Sequence, residues 1–131
     1  MIKIMLVDDN VEVAEMFGEA LTEAGFSVDV FTDALSALNG CVRVRYALVV
    51  ADISMPGIDG LSMMQMIRAQ RPLMPYIFLS GRGAQDDSQV VQNADAFVLK
   101  IDGARTLIAK ITEVLARKGS DAGTSQSSSA I

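Results

Sequence analysis

The chain has no histidine and a single cysteine, Cys41, in 131 residues. Without imidazole there is no histidine-bearing zinc site, no Ser-His-Asp triad and no phosphohistidine on this chain itself. A lone thiol makes no internal disulfide and no thiolate metal framework. Cys41 is therefore read as a small buried hydrophobe, in a reducing, cytoplasmic setting. Basic residues are also in deficit: eleven Lys and Arg stand against sixteen Asp and Glu, a net charge of −5. Phosphate backbones attract Lys and Arg surfaces, so this balance argues against direct nucleic-acid contact and suits a cation or a basic partner. Long apolar runs are missing too. Ile4-Met5-Leu6-Val7 is cut short by Asp8-Asp9. That is too short for a signal-peptide core or a membrane span, so no membrane association is expected.

What is present is enough for one domain with its own core, since half the residues are hydrophobic. Short apolar runs alternate with segments of helical period. Strands are expected at Lys3–Val7, Ser27–Phe31, Ala47–Ala51, Tyr76–Ser80 and Ala96–Leu99. Their apolar residues run on rather than alternate, which implies burial on both faces. The first helix is expected over Val11–Ala24, with Val13, Phe17, Ala20, Leu21 and Ala24 on one stripe and Gly25 as its cap. Glu12, Glu15, Glu19 and Glu23 occupy another face, solvated or turned to a partner. A weaker helix over Asp33–Val44 is interrupted by Gly40, and one over Gly60–Arg71 is stopped by Pro72. A short helix is read over Ala84–Gln92 and a strong one over Gly103–Lys118. Alternating strands and helices imply a parallel sheet with right-handed crossovers. Residues 119–131 include five serines and are expected to be a flexible tail or linker, leaving 1–118 as the domain.

In an open parallel sheet, ligands bind beyond the carboxyl ends of the strands. The first strand runs into Asp8-Asp9, the third into Asp52, the fourth ends on Ser80 and the fifth runs into Lys100. Adjacent strands would gather three carboxylates, a hydroxyl and an ammonium in one small space. Crowded carboxylates raise one another's pKa or call for a cation. Mg²⁺ answers that need with one or two carboxylate ligands, keeping waters for phosphate oxygens. A carboxylate can also attack a phosphoryl group to give an aspartyl phosphate, with lysine and hydroxyl holding the phosphoryl oxygens.

These residues carry a resemblance. Leu6-Val7-Asp8-Asp9-Asn10, Val50-Ala51-Asp52-Ile53-Ser54-Met55-Pro56-Gly57-Ile58-Asp59-Gly60, Phe78-Leu79-Ser80-Gly81 and Phe97-Val98-Leu99-Lys100 are similar to the response-regulator receiver domains of bacterial two-component systems. The likeness covers roughly residues 2–118. It implies a flavodoxin-like (βα)5 three-layer α/β sandwich with a parallel sheet of order 2-1-3-4-5. It implies that Asp52 is the phosphoacceptor, and that Asp8, Asp9, Asp52 and the backbone carbonyl of Ser54 hold Mg²⁺. Lys100 pairs with the acidic pocket and the phosphoryl group, Ser80 is the switch hydroxyl and Phe97 the aromatic switch. The donor would be the phosphohistidine of a sensor histidine kinase or histidine phosphotransfer protein, and the receiver of the signal a downstream protein or output domain. The resemblance leaves room for a phosphorylation-dependent homodimer. It describes a self-catalysed transfer and autodephosphorylation, not a conventional enzyme.

The chain departs from the family pattern in places. Ile101 stands where proline follows the lysine, in a bond typically cis in the family. A cis bond to isoleucine costs about 3 kcal/mol, so trans is expected. The stretch between Ser80 and Lys100 is slightly short, so the helix over Ala84–Gln92 is expected to be stunted. Asn93 replaces a glycine and is expected at a left-handed cap. Arg82 occupies a position that tunes phosphate lifetime. Met63, Met64 and Met66 are read as core or as a partner surface. The first competing reading is a degenerate receiver acting as a constitutive protein-binding module. The second is an enzyme on a similar fold. A flavin site lacks its phosphate-cradling loop here, and a haloacid dehalogenase-type phosphatase lacks its D-x-D, since Asn10-Val11 follow Asp9.

Overall fold

The computed structural model describes residues 1–81 and 92–129, residues 119–129 by backbone alone. Strands β1 (Lys3–Val7), β2 (Ser27–Phe31), β3 (Leu48–Asp52), β4 (Tyr76–Ser80) and β5 (Ala96–Leu99) form one parallel sheet. Its order is β2-β1-β3-β4-β5, the flavodoxin-like order expected. Each central strand feeds two cores. Met5, Val7, Val49, Ala51, Tyr76 and Phe78 enter one, while Ile4, Leu6, Leu48, Val50, Ile77 and Leu79 enter the other. Successive side chains of a strand point to opposite faces, so burial on both requires an unbroken apolar run.

Helices α2 (Ala34–Arg43) and α3 (Gly60–Gln70) cover the first core with Ala37, Cys41, Met63, Met64 and Ile67. Helices α1 (Val11–Glu23) and α4 (Gly103–Ser129) cover the second with Phe17, Leu21, Leu107, Ile111 and Val114. Met63 and Met64 are therefore core, whereas Met66 is exposed. Side-chain oxygens start three helices: Asn10, Asp33 and Asp59 accept from the N–H groups of Val13, Ser36 and Ser62. At the far end of α1, Phe26 N–H bonds to Leu21 O and Gly25 N–H to Thr22 O, with Gly25 at φ 104°. That paired pattern needs a left-handed residue, and glycine supplies it without a steric penalty.

The expected interruption at Gly40 does not occur, and α2 runs through it. A Cβ there would lie 2.6 Å from Phe31 Cζ, so this glycine serves close packing of helix on strand. Asn93 is not left-handed either. No described residue other than glycine has positive φ, and the Asn93 carbonyl accepts a hydrogen bond from Arg68 instead. Helix α4 continues past Lys118 to Ser129, and among its residues with described side chains the last fully buried one is Val114. Backbone hydrogen bonds within a helix are local and propagate beyond the last packed side chain. Arg82 and nearly all of the helix expected over Ala84–Gln92 lie outside the described residues. No described helix is long and apolar enough to cross a membrane.

Candidate functional site

The sheet order puts β3 between β1 and β4, with Val7 in register with Ala51. Asp8, just beyond β1, and Asp52, the last residue of β3, are thereby neighbours. Beyond β5, Lys100 opens a short 3₁₀ turn, Lys100–Asp102, and reaches back over the end of β4. Its Nζ lies 2.7 Å from Asp8 Oδ2 and 2.8 Å from Asp52 Oδ2. The Lys100–Ile101 bond is trans, since the described chain has no cis peptide, and Ile101 projects outward. The missing proline therefore does not displace the lysine.

Burial sets the energetics. Asp8 is 0% exposed, Asp52 7% and Ser80 9%, and all three lie at this one edge of the sheet. Burying a carboxylate is expensive unless it is paired, so a lysine shared by two acids is the least that the fold requires. Burial pushes the Asp8 carboxyl above its ordinary pKa. The Lys100 contact and the Asn10 N–H at 2.9 Å pull it back, and the neighbouring Asp52 charge adds to the rise. For Lys100, burial acts to lower the pKa, but the contacts with Asp52 and Asp8 outweigh it and hold the ammonium above its usual value.

Asn10 caps α1, which leaves the two acids before it for other work. Asp9 is exposed, and one carboxylate oxygen from each of Asp8, Asp9 and Asp52 falls within 4.8 Å of the others. Asp8 Oδ2 is wholly buried and, despite the nearby ammonium, accepts no well-aligned hydrogen bond from any described residue. Three carboxylates served by a single lysine are a donor set that fits a hard, oxygen-seeking dication. Ser54 is held beside the cluster by its N–H, 3.1 Å from Asp52 Oδ1. Phe97 is half-buried against the core under α2 and α3, in register with Phe78 of β4.

The sequence pattern alone missed Gly60. Its N–H donates to Ile53 O at 2.7 Å, and a Cβ on it would overlap the Asp52 carbonyl oxygen. Helix α3 can approach β3 this closely because no side chain intervenes. A glycine at the first position of a helix, where propensity disfavours it, was the available signal.

A family model for the response regulator receiver domain matches residues 4–121. The chain is 35% identical over 117 residues to the transcriptional regulatory protein TctD of Salmonella typhimurium, covering 88% of this chain and 52% of that protein. It is 30% identical over 131 residues to the transcriptional regulatory protein PrrA of Mycobacterium leprae, covering 98% and 56%. The chain thus spans about half the length of these curated relatives. Among solved structures, a CheY-like receiver domain protein from Methanospirillum hungatei matches with a TM-score of 0.86 at 25% identity, covering 92% of this chain and 98% of that one. The response regulator TrrA from Thermotoga maritima, solved in complex with Mg²⁺-BeF, matches with a TM-score of 0.81 at 30% identity, covering 87% and 99%.

Proposed function

The chain belongs to the response regulator receiver domain family, and from that premise we propose that it is a working phosphorylation switch whose acceptor is Asp52. Phosphoryl acceptance is typical of the family. The observation that carries the reading here is the Lys100 ammonium bridging Asp8 and Asp52 within a cluster of three carboxylates. A degenerate site has no reason to keep so costly a cluster.

In the proposed reaction, an Asp52 carboxylate oxygen attacks the phosphorus of a phosphohistidine. The P–N bond breaks, its electron pair returns to the imidazole nitrogen, and that nitrogen takes a proton. The product is an acyl phosphate on Asp52. Lys100 turns part of its charge from the carboxylates to the incoming phosphoryl oxygens. Asp8, Asp9, Asp52 and the Ser54 carbonyl would hold Mg²⁺, which when bound offsets charge on the transferring group; the TrrA complex with Mg²⁺-BeF supports this assignment. Ser80 and Phe97 are the proposed readout. A new phosphate draws the hydroxyl, and the ring follows into the space it leaves.

The donor is taken to be a sensor histidine kinase or histidine phosphotransfer protein, in the cytoplasm. Residues 1–118 form the receiver, and 119–131 connect it to an output domain, as the half-length match to two transcriptional regulators suggests. Phosphorylation-dependent pairing of two copies belongs to the same proposal. The test is intact mass after incubation with Mg²⁺ and either acetyl phosphate or phosphoramidate, beside Asp52→Ala. One added phosphoryl group, absent from Asp52→Ala and absent without Mg²⁺, is expected. No gain from either donor would favour the constitutive binding module.

A further inference from the structure

Two long stretches, Ala34–Ala51 and Gly60–Gly81, contain no Asp or Glu in a chain that has sixteen. They carry α2 and α3, and with them Arg43, Arg45, Arg68 and Arg71. Arg68 is committed to the Met74 and Asn93 carbonyls and to Asp95. Arg43, Arg45 and Arg71 have no carboxylate partner among the described residues. In the opposite layer α1 exposes Glu12, Glu15, Glu19 and Glu23, while α4 beside it carries Arg105, Lys110, Arg117 and Lys118.

This face, where the acids at the two helices are the caps Asp33 and Asp59, is also apolar. α2 buries Ala34, Ala37 and Cys41, a stripe at i, i+3, i+7. A second stripe lies one residue further on, Leu35, Leu38 and Val42, and the core does not use it fully: Leu35 is 65% and Val42 64% exposed. Between this stripe and α3 runs a groove of about 220 Å³, lined by Leu38, Asn39, Cys41 and Val42 on one side and Met66, Ile67 and Gln70 on the other. Arg43 follows Val42, and Arg71 follows Gln70 near enough to Cys41 to oppose the rise that burial imposes on its thiol. The groove therefore has an apolar floor and a basic end.

We propose that the α2–α3 groove docks an amphipathic helix of a partner protein, whose apolar stripe seats over Leu38, Val42 and Met66 and whose flanking Asp or Glu meet Arg43, Arg45 and Arg71. Charge complementarity selects this occupant. A second copy using the same face would bring α2 and α3 again, with arginines and no carboxylate within either helix. The acidic α1 of a second copy has glutamates along the middle of its exposed arc and Val11 and Met16 at the margins, so it would press carboxylates into the apolar floor. An apolar stripe with acidic flanks satisfies floor and rim together. Helices α2 and α3 start near the carboxyl edge of the sheet and end at the other, so the docked helix leaves Asp52 open to a phosphoryl donor.

The probe is a synthetic amphipathic helix with a leucine stripe and glutamate flanks, with a lysine-flanked twin as control. It is titrated into the full chain and followed by amide chemical shifts and calorimetry. The glutamate helix should bind and shift α2 and α3 resonances. Val42→Asp, and separately Arg43→Glu with Arg45→Glu, should weaken it at least tenfold with unfolding curves unchanged, and the lysine twin should not bind. No binding, equal binding of both helices, or shifts confined to other elements overturns the proposal. So does a concentration-dependent dimer in sedimentation that Val42→Asp abolishes, which would give the groove to a second copy.

Discussion

Replacing Gly60 by alanine isolates the contact that sets α3 against β3. The new Cβ would overlap the Asp52 carbonyl oxygen and lie 2.8 Å from Ile53 Cα and 3.0 Å from Phe78 Cε1. Two of these neighbours are backbone and cannot turn aside, so the start of α3 must move away from β3. Overpacking of this kind costs about 1–3 kcal/mol, occasionally more. Alanine returns roughly 0.5–1 kcal/mol of helix preference, and less at a first helical position. The expected net loss is about 2 kcal/mol. For a domain of this size each kcal/mol lowers Tm by roughly 3–6 °C, so the variant should melt about 6–12 °C lower. Urea and thermal unfolding followed by circular dichroism measure this directly. Gly40→Ala is the control: its Cβ would meet Phe31 Cζ at 2.6 Å, but that is the tip of a ring that can swing. Its loss should stay below about 1 kcal/mol. Gly60→Ala as stable as the parent, or less harmful than Gly40→Ala, would refute the reasoning.

Other perturbations probe the charges and caps. Lys100→Met strips the counter-charge from buried Asp8 and Asp52 and should cost about 3 kcal/mol in metal-free buffer. Added Mg²⁺ should recover more stability in this variant than in the parent; a variant as stable as the parent would contradict the pairing. Asp33→Ala removes the α2 cap and should cost about 1 kcal/mol in urea unfolding. Hydrogen bonds from the Ser36 N–H and hydroxyl hold the Asp33 carboxyl below its ordinary pKa. A lowered folded pKa gives stability that is complete above the unfolded value, about 3.9, and fades as pH falls through the folded one. The gap between parent and Asp33→Ala should therefore close below about pH 4, and a gap that persists there would count against the cap. Cys41 is 5% exposed, with its thiol pushed up by burial. It should resist alkylation in the native protein and react readily in urea.

Much of the fold was legible because burial on both faces of a parallel sheet leaves a local mark. Lys3–Val7, Ser27–Phe31, Tyr76–Ser80 and Ala96–Leu99 are strands with the bounds their apolar runs suggest, and β3 differs by a single residue at each end. Gly40 misled because its local signature, a weak helix former, says nothing of the Phe31 ring that it accommodates. Asn93 misled because a cap was inferred from residue type alone, whereas the segment is held by Arg68 from another helix. The methionines of α3 divide by face, Met63 and Met64 inward and Met66 outward, a division that the neighbouring helix α2 completes.

The candidate site divides in the same way. The sequence by itself determined which groups stand at the strand ends, because an acid or a lysine after an apolar run marks where a buried strand emerges. Only the tertiary structure decided that Lys100 touches both Asp8 and Asp52, that Asp9 joins them in one cluster, and that Gly60 lies against the Asp52 peptide. Those facts depend on distances between residues separated by up to most of the domain. Strand order and helix packing set such distances, and no local run of residues encodes them.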